Sequence, residues 1–475
     1  MKAAKKELLY QHISKSIEHQ IKNDVLKIGD KLPSIRMVCR EHGVSMSTAL
    51  QAYYDLERKH LIESKPQSGY YVTNTHKKFF TAPETSKPIG NLGVKETEEI
   101  ISKVYSEIGN QNNLQFSLSV PAPELLPIAK LNKALVTAMR ELPNGGTSYE
   151  SVQGNQRLRR QIARWSFNWD GRLNEDDIIT TSGCMNAVTY CMMALTEKGD
   201  TIITESPAYF GVLRLAESLG LKVLELPTNA ITGIEIEALK KALETKKVKL
   251  CLLVSNFSNP LGSCMPDEHK KAVVDLMEKH NVPLIEDDLY GDVYFGNHRP
   301  KSCKTYDDSG LVLWCSSVSK TLAPGYRVGW VAPGKFKQQL IKVKRYHSIS
   351  SNILMQETIG NFLESGRYES HLRRLRHTLH TNSLQYLRAI SEYFPSGTKV
   401  SHPQGGFLLW LELQRKIDTV DLFEKALKQK ISIAPGRMFT LRKQYNNCLR
   451  LSYGLQWNDK VDKALRILGD LASKK

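Results

Sequence analysis

Apolar residues recur at helical spacing at the start of the chain. Leu8, Leu9, Ile13, Ile17 and Ile21 form a stripe that predicts a helix within residues 4–23. GDKLPSIR follows, where Pro33 and Ser34 read as a helix start. Ser34 can cap free amides, and proline is tolerated only in a first turn. A second helix is expected over about 34–41. His42-Gly43-Val44-Ser45 marks a sharp turn in which Gly43 can take positive φ. Ser45 would then cap a third helix over about 46–59. LIESKPQSGYYVT reads as two short strands around Pro66–Gly69.

From about residue 113 the pattern changes to apolar strands alternating with amphipathic helices. IITTSG, TIITES, KVLELP, KLCLLVSN, PLIEDD, LVLWCSS and RVGWVAP read as strands. Helices are expected over 184–197, 209–219, 235–244 and 267–279. This alternation predicts an α/β fold with a mostly parallel sheet covered on both faces. Beyond about 335 come long helices and the strand-like runs FLLWLEL, ISIAP and CLRLSYG, a small α+β lobe. The expected division is an N-terminal helical domain over 1–75, a linker over 76–112 and a domain over 113–475. The large lobe of that domain covers about 130–335 and its small lobe about 336–475. The linker reading rests on Pro, Gly, Thr and Lys content, with one charged helical piece near 96–108.

The 475 residues are 41% hydrophobic and 24% charged, ordinary for a water-borne globular chain. No apolar run reaches the roughly 18 residues that a membrane helix needs. The charged start lacks an apolar core, so no secretory leader is expected. Eight scattered cysteines without a C-x-x-C pair speak against a disulfide framework or a zinc site and fit a reducing cytoplasm. Of the net charge of +17, residues 1–78 supply +6, with 14 Lys and Arg against 8 Asp and Glu, which makes the start more than twice as basic per residue as the rest. A basic surface of this kind suits a polyanion, although it also suits simple solubility.

Two short helices joined by a glycine turn form the helix-turn-helix pattern, whose second helix enters the DNA major groove. Ser45, Ser47 and Thr48 place hydroxyls at the start of that helix, and Arg36 could grip the backbone. Tyr53 or Tyr54 could reach a phosphate, with the other in the core. A protein-interaction module would show the same helices. The segment GDKLPSIRMVCREHGVSMSTALQAYYDLERKHLIES…SGYYV resembles the winged helix of the GntR family of bacterial repressors, through LPS-x-R, GVS-x-x-T and SG-x-x-V. The resemblance implies DNA contacts at Arg36, Ser45, Ser47, Thr48, Ser68 and Gly69. Met46 departs from the arginine that many relatives carry.

Ligands of a parallel sheet lie beyond its strand carboxyl ends. There the sequence places Ser182-Gly183-Cys184-Met185 opening a helix, Asn259-Pro260-Leu261-Gly262, Asp287 with Tyr290, Ser317-Val318-Ser319-Lys320, and Arg327. Each alone could be structural. Their order resembles the fold type I pyridoxal-phosphate enzymes of the aspartate-aminotransferase superfamily, over about 115–472. The resemblance implies pyridoxal 5′-phosphate joined covalently to Lys320, with Asp287 on the pyridine nitrogen. It implies Tyr290 and Asn259 on the phenolic oxygen and Tyr209 stacked on the ring. The phosphate would take the amides of Cys184 and Met185 with Ser317 and Arg327, and Tyr149 would serve the neighbouring subunit's phosphate. Arg450 in NCLRLSYG would clamp a substrate or effector carboxylate. Positions 119–122 and 348–352 would select its side chain.

A winged helix, a linker and an aminotransferase-like domain together resemble the MocR (GabR-like) subfamily of bacterial transcription regulators. That resemblance implies a cytoplasmic head-to-tail homodimer on a double-stranded DNA operator, responsive to an amino compound or to the cofactor itself. The alternative is a working aminotransferase with a DNA-binding appendage.

Overall fold

The computed structural model describes residues 9–23, 25–27, 29–59, 61–65, 68–72, 81–88, 94–110 and 112–473. It divides into two compact units, Met1–Phe79 and Phe80–Lys475.

The first unit holds α1 (Leu9–Lys22), α2 (Ile35–His42), α3 (Met46–Arg58), β1 (Ile62–Lys65) and β2 (Gly69–Val72). The expected caps form. Ser34 Oγ accepts from the Met37 amide at 3.3 Å and Ser45 Oγ from the Thr48 amide at 3.2 Å. Gly43 closes α2 at φ 62°. The strands pair antiparallel, with Ile62 opposite Val72 and Lys65 opposite Gly69. Ile13, Ile17 and Ile21 of α1 meet Val38, Ala49, Tyr53 and Leu56 in one small core. Tyr53 is the core tyrosine, and its hydroxyl donates to the Pro33 carbonyl at 2.7 Å. Pro66, part of the expected wing tip, lies outside the described residues.

The second unit begins with α4 (Val94–Ser106), β3 (Leu114–Gln115), α5 (Ile128–Glu141) and α6 (Gln156–Ser166). The central elements are β4 (Ile179–Thr181), α7 (Cys184–Leu195), β5 (Thr201–Ser206), α8 (Phe210–Ser218), β6 (Lys222–Asn229), β7 (Gly233–Ile234), α9 (Ile236–Thr245), β8 (Leu250–Leu253), α10 (Asp267–His280), β9 (Leu284–Asp287), β10 (Val312–Ser317) and β11 (Gly329–Ala332). The eight strands β4 to β11 run in the order β4-β11-β10-β9-β8-β5-β6-β7. The inner five, β10 to β6, are parallel, while β11 and β7 are antiparallel to their neighbours.

Side-chain alternation explains the covered faces. Ile202, Leu250, Leu252, Ile285 and Leu313 pack with α7, α8 and Leu340, whereas Ile203, Cys251, Leu253, Leu284 and Val312 pack with α9 and α10. The rest comprises α11 (Lys337–His347), α12 (Ile353–Glu364), α13 (Arg367–Tyr393), β12 (Lys399–Val400), β13 (Leu408–Glu412), α14 (Thr419–Lys428), β14 (Ile431–Ser432), β15 (Ala434–Pro435), β16 (Cys448–Ser452) and α15 (Asp459–Ser473). Its sheet runs β12-β13-β16-β15, and β14 pairs with β3.

The charged helical piece near 96–108 is α4, and it does not hang free. Ile100, Ile101 and Val104 are buried in the main core of the second unit. Its apolar stripe is too short for a core of its own but long enough to dock on one already formed.

Candidate functional site

The carboxyl ends of β4, β5, β9 and β10 face one region of the sheet, and the loops leaving them carry the expected residues. Gly183, at φ 97°, links β4 to α7. A Cβ there would collide with the Arg327 guanidinium, and one on Gly329 would sit 2.8 Å from the Cys184 amide nitrogen. Backbone, helix amino end and guanidinium therefore converge where only glycines fit. Arg327 donates to the Ser182 carbonyl at 3.2 Å. Such a pocket, with free amides and a planar cation, suits a phosphate. Ser317 is buried nearby in sequence, and its Oγ accepts from the Ser319 amide at 3.2 Å.

Asp287 ends β9, buried, and accepts from the Cys184 thiol at 3.3 Å. Burial is the main cause that pushes its carboxyl up to about 6, against the pull of the thiol and of Lys320. Lys320 follows β10. Burial first, then the Arg450 charge, brings its amine down to about 8, partly opposed by Asp287. Its Nζ donates to the Ser119 carbonyl and lies 3.3 Å from Ser119 Oγ. An amine so placed is partly neutral near neutral pH, which nucleophilic attack on a carbonyl requires.

Tyr290 lies beneath this amine, its ring centroid 5.9 Å from Lys320 Nζ. Its hydroxyl is 2.9 Å from Ser119 Oγ and also shares a hydrogen bond with Asn259. Burial pushes the phenol up to about 12. Arg450 on β16 is 2% exposed. It donates to Asn259 Oδ1 at 2.9 Å and to the Ser117 carbonyl. Its Nε is buried with no hydrogen-bond partner. Burial holds its pKa below the usual guanidinium range.

Tyr209 precedes α8 at the same strand ends, and its hydroxyl is 3.2 Å from that of Tyr105. Tyr149 is instead 83% exposed on the loop before α6. Met185 lies in the first turn of α7, half-buried. The structure thus brings Lys320, Asp287, Tyr290, Asn259, Arg450, Cys184 and Arg327 into one linked group. Tyr105, Ser117 and Gly329 were not singled out from the sequence. Gly329 carried a readable signal, a glycine opening a strand pattern. Ser117 acts through its backbone and carried none.

Tested as a holder of pyridoxal phosphate, the group fits. It has a buried amine of lowered pKa, a carboxylate at the carboxyl end of the neighbouring parallel strand, a glycine-lined cradle beside Arg327 and a guanidinium Nε without a partner. Among the described residues no cluster of His, Cys, Asp or Glu could hold a metal ion.

In the first unit Arg36, Ser45, Ser47 and Gly69 are exposed, and Thr48 is half-buried. Ser45 Oγ lies 2.8 Å from both Ser47 Oγ and Thr48 Oγ1, a hydroxyl cluster at the amino end of α3. Ser68 Oγ is 2.6 Å from the Tyr71 hydroxyl. Met46, the departure noted above, is 53% exposed on the first turn of α3.

Residues 116–468 match the model of aminotransferase class I and II, and residues 9–72 match that of bacterial regulatory proteins of the gntR family. The uncharacterized HTH-type transcriptional regulator YjiR of Escherichia coli (strain K12) is 36% identical over 97% of this chain and 98% of its own length. YdcR of the same strain, also an uncharacterized HTH-type transcriptional regulator, is 34% identical over 98% and 99%. Among solved structures, LysN, the alpha-aminoadipate aminotransferase of Thermus thermophilus complexed with N-(5′-phosphopyridoxyl)-L-leucine, superposes with a TM-score of 0.72. It is 25% identical and covers 78% of this chain and 94% of its own. The chain therefore belongs to the aminotransferase class I and II family and carries ahead of that domain a winged helix of the bacterial gntR regulators, the two-part build of MocR-like proteins.

Proposed function

We propose that this chain is a DNA-binding transcription regulator whose aminotransferase-like domain holds pyridoxal 5′-phosphate and responds to an amino compound. The observation that carries this is the buried, pKa-lowered amine of Lys320 between Asp287 and Arg450, in a chain that also bears a gntR winged helix.

When bound, pyridoxal phosphate supplies an aldehyde that condenses reversibly with amines and a ring that withdraws electrons. Lys320 offers the resident amine. Asp287 keeps a proton on the pyridine nitrogen. Tyr290 and Asn259 would hydrogen-bond the cofactor's phenolic oxygen, and Tyr209 would pack against its ring. The amides of Cys184 and Met185, with Ser317 and Arg327, hold the phosphate. Arg450 takes the carboxylate of the amino compound through the edge that includes Nε. The exposed Tyr149 reaches the phosphate site of a second subunit, so the working form is a head-to-tail homodimer. Such a dimer presents two winged helices and reads two half-sites. Arg36, Ser45, Ser47, Thr48 and the wing at Ser68 and Gly69 contact the DNA. Eight free cysteines fit a cytoplasmic setting, and among the described residues no helix is long and apolar enough to cross a membrane.

A ligand moves such a regulator only by binding one conformation better, and a swing from 1:99 to 99:1 takes about 5.5 kcal/mol of difference. The second reading, a working aminotransferase, is favoured by one observation: Lys320 and Arg450 are both in place, so a freed amine could shuttle a proton.

Lys320→Ala tests the first reading. The visible absorbance of the bound cofactor should disappear, and borohydride should fix the cofactor on the Lys320 peptide of the native chain only. An unchanged spectrum removes the assignment. Sustained turnover near the ~10 s⁻¹ enzyme median with amino and keto acids would favour the second reading.

A further inference from the structure

Near its start the second unit places residues 81–88 and helix α4 against both of its lobes. Residues 81–88 tie both lobes. The Ser86 amide donates to the Thr228 carbonyl at 3.1 Å, and the Thr228 amide donates back to Ser86 Oγ at 2.8 Å. On the other lobe the Val400 amide donates to the Thr81 carbonyl at 3.3 Å, and Lys399 pairs with Glu84 at 2.7 Å. Helix α4 repeats the arrangement. Glu98 faces Arg214 of α8 at 3.5 Å, and Lys103 pairs with Glu424 of α14. Exposed ion pairs of this kind add little stability. The buried Ile100, Ile101 and Val104 hold the helix, and the pairs set its register.

Tyr105 follows that stripe directly. Its ring meets Phe210 edge-on, with centroids 5.5 Å apart. Its hydroxyl is 3.2 Å from that of Tyr209, while Phe210 meets Phe439 with centroids 5.7 Å apart and the Arg450 guanidinium lies 5.1 Å from the Phe439 ring centroid. Two facing hydroxyls share one hydrogen bond, which leaves one O–H proton over. Tyr209 keeps its proton because burial raises its pKa strongly. The pair thus has a hydrogen-bond donor to spare, and through Phe210 and Phe439 it belongs to the same aromatic cluster as the guanidinium whose Nε has no partner.

We propose that Tyr105 is a specificity-determining residue of the ligand site: paired with Tyr209, its hydroxyl donates to the carboxylate of an amino acid held by Arg450. Helix α4 thereby distinguishes amino acids from carboxylate-free amines. This rests on the Lys320 and Arg450 reading above.

The test uses the full-length, cofactor-loaded protein and Tyr105→Phe, which removes one oxygen and keeps the ring. A panel of α-amino acids and the matching decarboxylated amines is titrated through the visible absorbance of the cofactor. The dissociation constants of the amino acids should rise about tenfold, as for loss of one charge-assisted hydrogen bond. Those of the amines, and the cofactor content, should not change. Equal weakening of both classes, or none for the amino acids, overturns the inference and leaves the Lys320 reading intact. If the native protein takes up cofactor but no amino acid alters its absorbance, the reading and the inference fall together.

Discussion

Lys320 and Asp287 show one burial acting in opposite directions on two charges. Asp287 titrates near 6 in the folded chain against 3.8 ordinarily. The folded state then binds the extra proton between those values, so its stability falls as pH rises from about 4 to about 6 and stays lower above. Lys320 titrates near 8 against 10.5. The folded state has given up a proton there, so stability rises with pH from about 8 to about 10.5. Both penalties are present together between about pH 6 and 8, where the pocket holds a buried anion and a buried cation. Asp287→Asn removes the first. In cofactor-free protein at pH 7, urea unfolding should show a gain of up to about 3 kcal/mol, less what Lys320 loses without its counter-charge. The slope between about pH 4 and 6 should flatten, and cofactor affinity should drop because the pyridine nitrogen loses its anion. An unfolding midpoint that does not rise at pH 7 would show that the carboxylate is not strained by burial.

The element that concentrates the site's geometry is the turn from β4 into α7. Gly183 holds a backbone conformation that side chains rarely adopt, and a Cβ there would run into Arg327. Gly183→Ala should therefore weaken pyridoxal phosphate at least tenfold while changing the affinity for unphosphorylated pyridoxal little, because strain of about 1–3 kcal/mol falls on the phosphate cradle. Equal loss for both compounds would place the damage elsewhere. This turn was legible in the sequence, as were the other strand ends, because a polar residue after an apolar strand run has few places to go. The caps at Ser34 and Ser45 were legible for the same local reason. Helix α4 was legible as a charged helical piece, but its docking was not: its three apolar residues look meagre until the core they dock on exists. Nor was the contact of Tyr105 with Tyr209, since 104 residues separate them and no local spacing encodes it. The choice between Tyr53 and Tyr54 likewise needed the Pro33 carbonyl, 20 residues away, to be in place.

At the scale of the whole molecule, two compact units divide the labour. The net charge is +17, and residues 1–78 supply +6 of it. Nucleic-acid affinity from such a surface comes mainly from released counterions, so its logarithm should fall linearly with the logarithm of salt, by about 0.9 per phosphate neutralised. Arg36 stands exposed in the first turn of α2, where its guanidinium is free to reach a backbone phosphate rather than a base edge. Arg36→Ala should thus weaken binding to every DNA sequence alike and make the salt slope shallower by about 0.9. It should leave the cofactor spectrum and the amine titrations as they are, because effects in units with separate cores add rather than couple. A slope that does not change, or a loss confined to one operator sequence, would move Arg36 from the phosphates to the bases or away from DNA. A cofactor spectrum that shifted with it would mean that charge in the first unit reaches the Lys320 pocket, and that the two halves of the chain are coupled before any ligand binds.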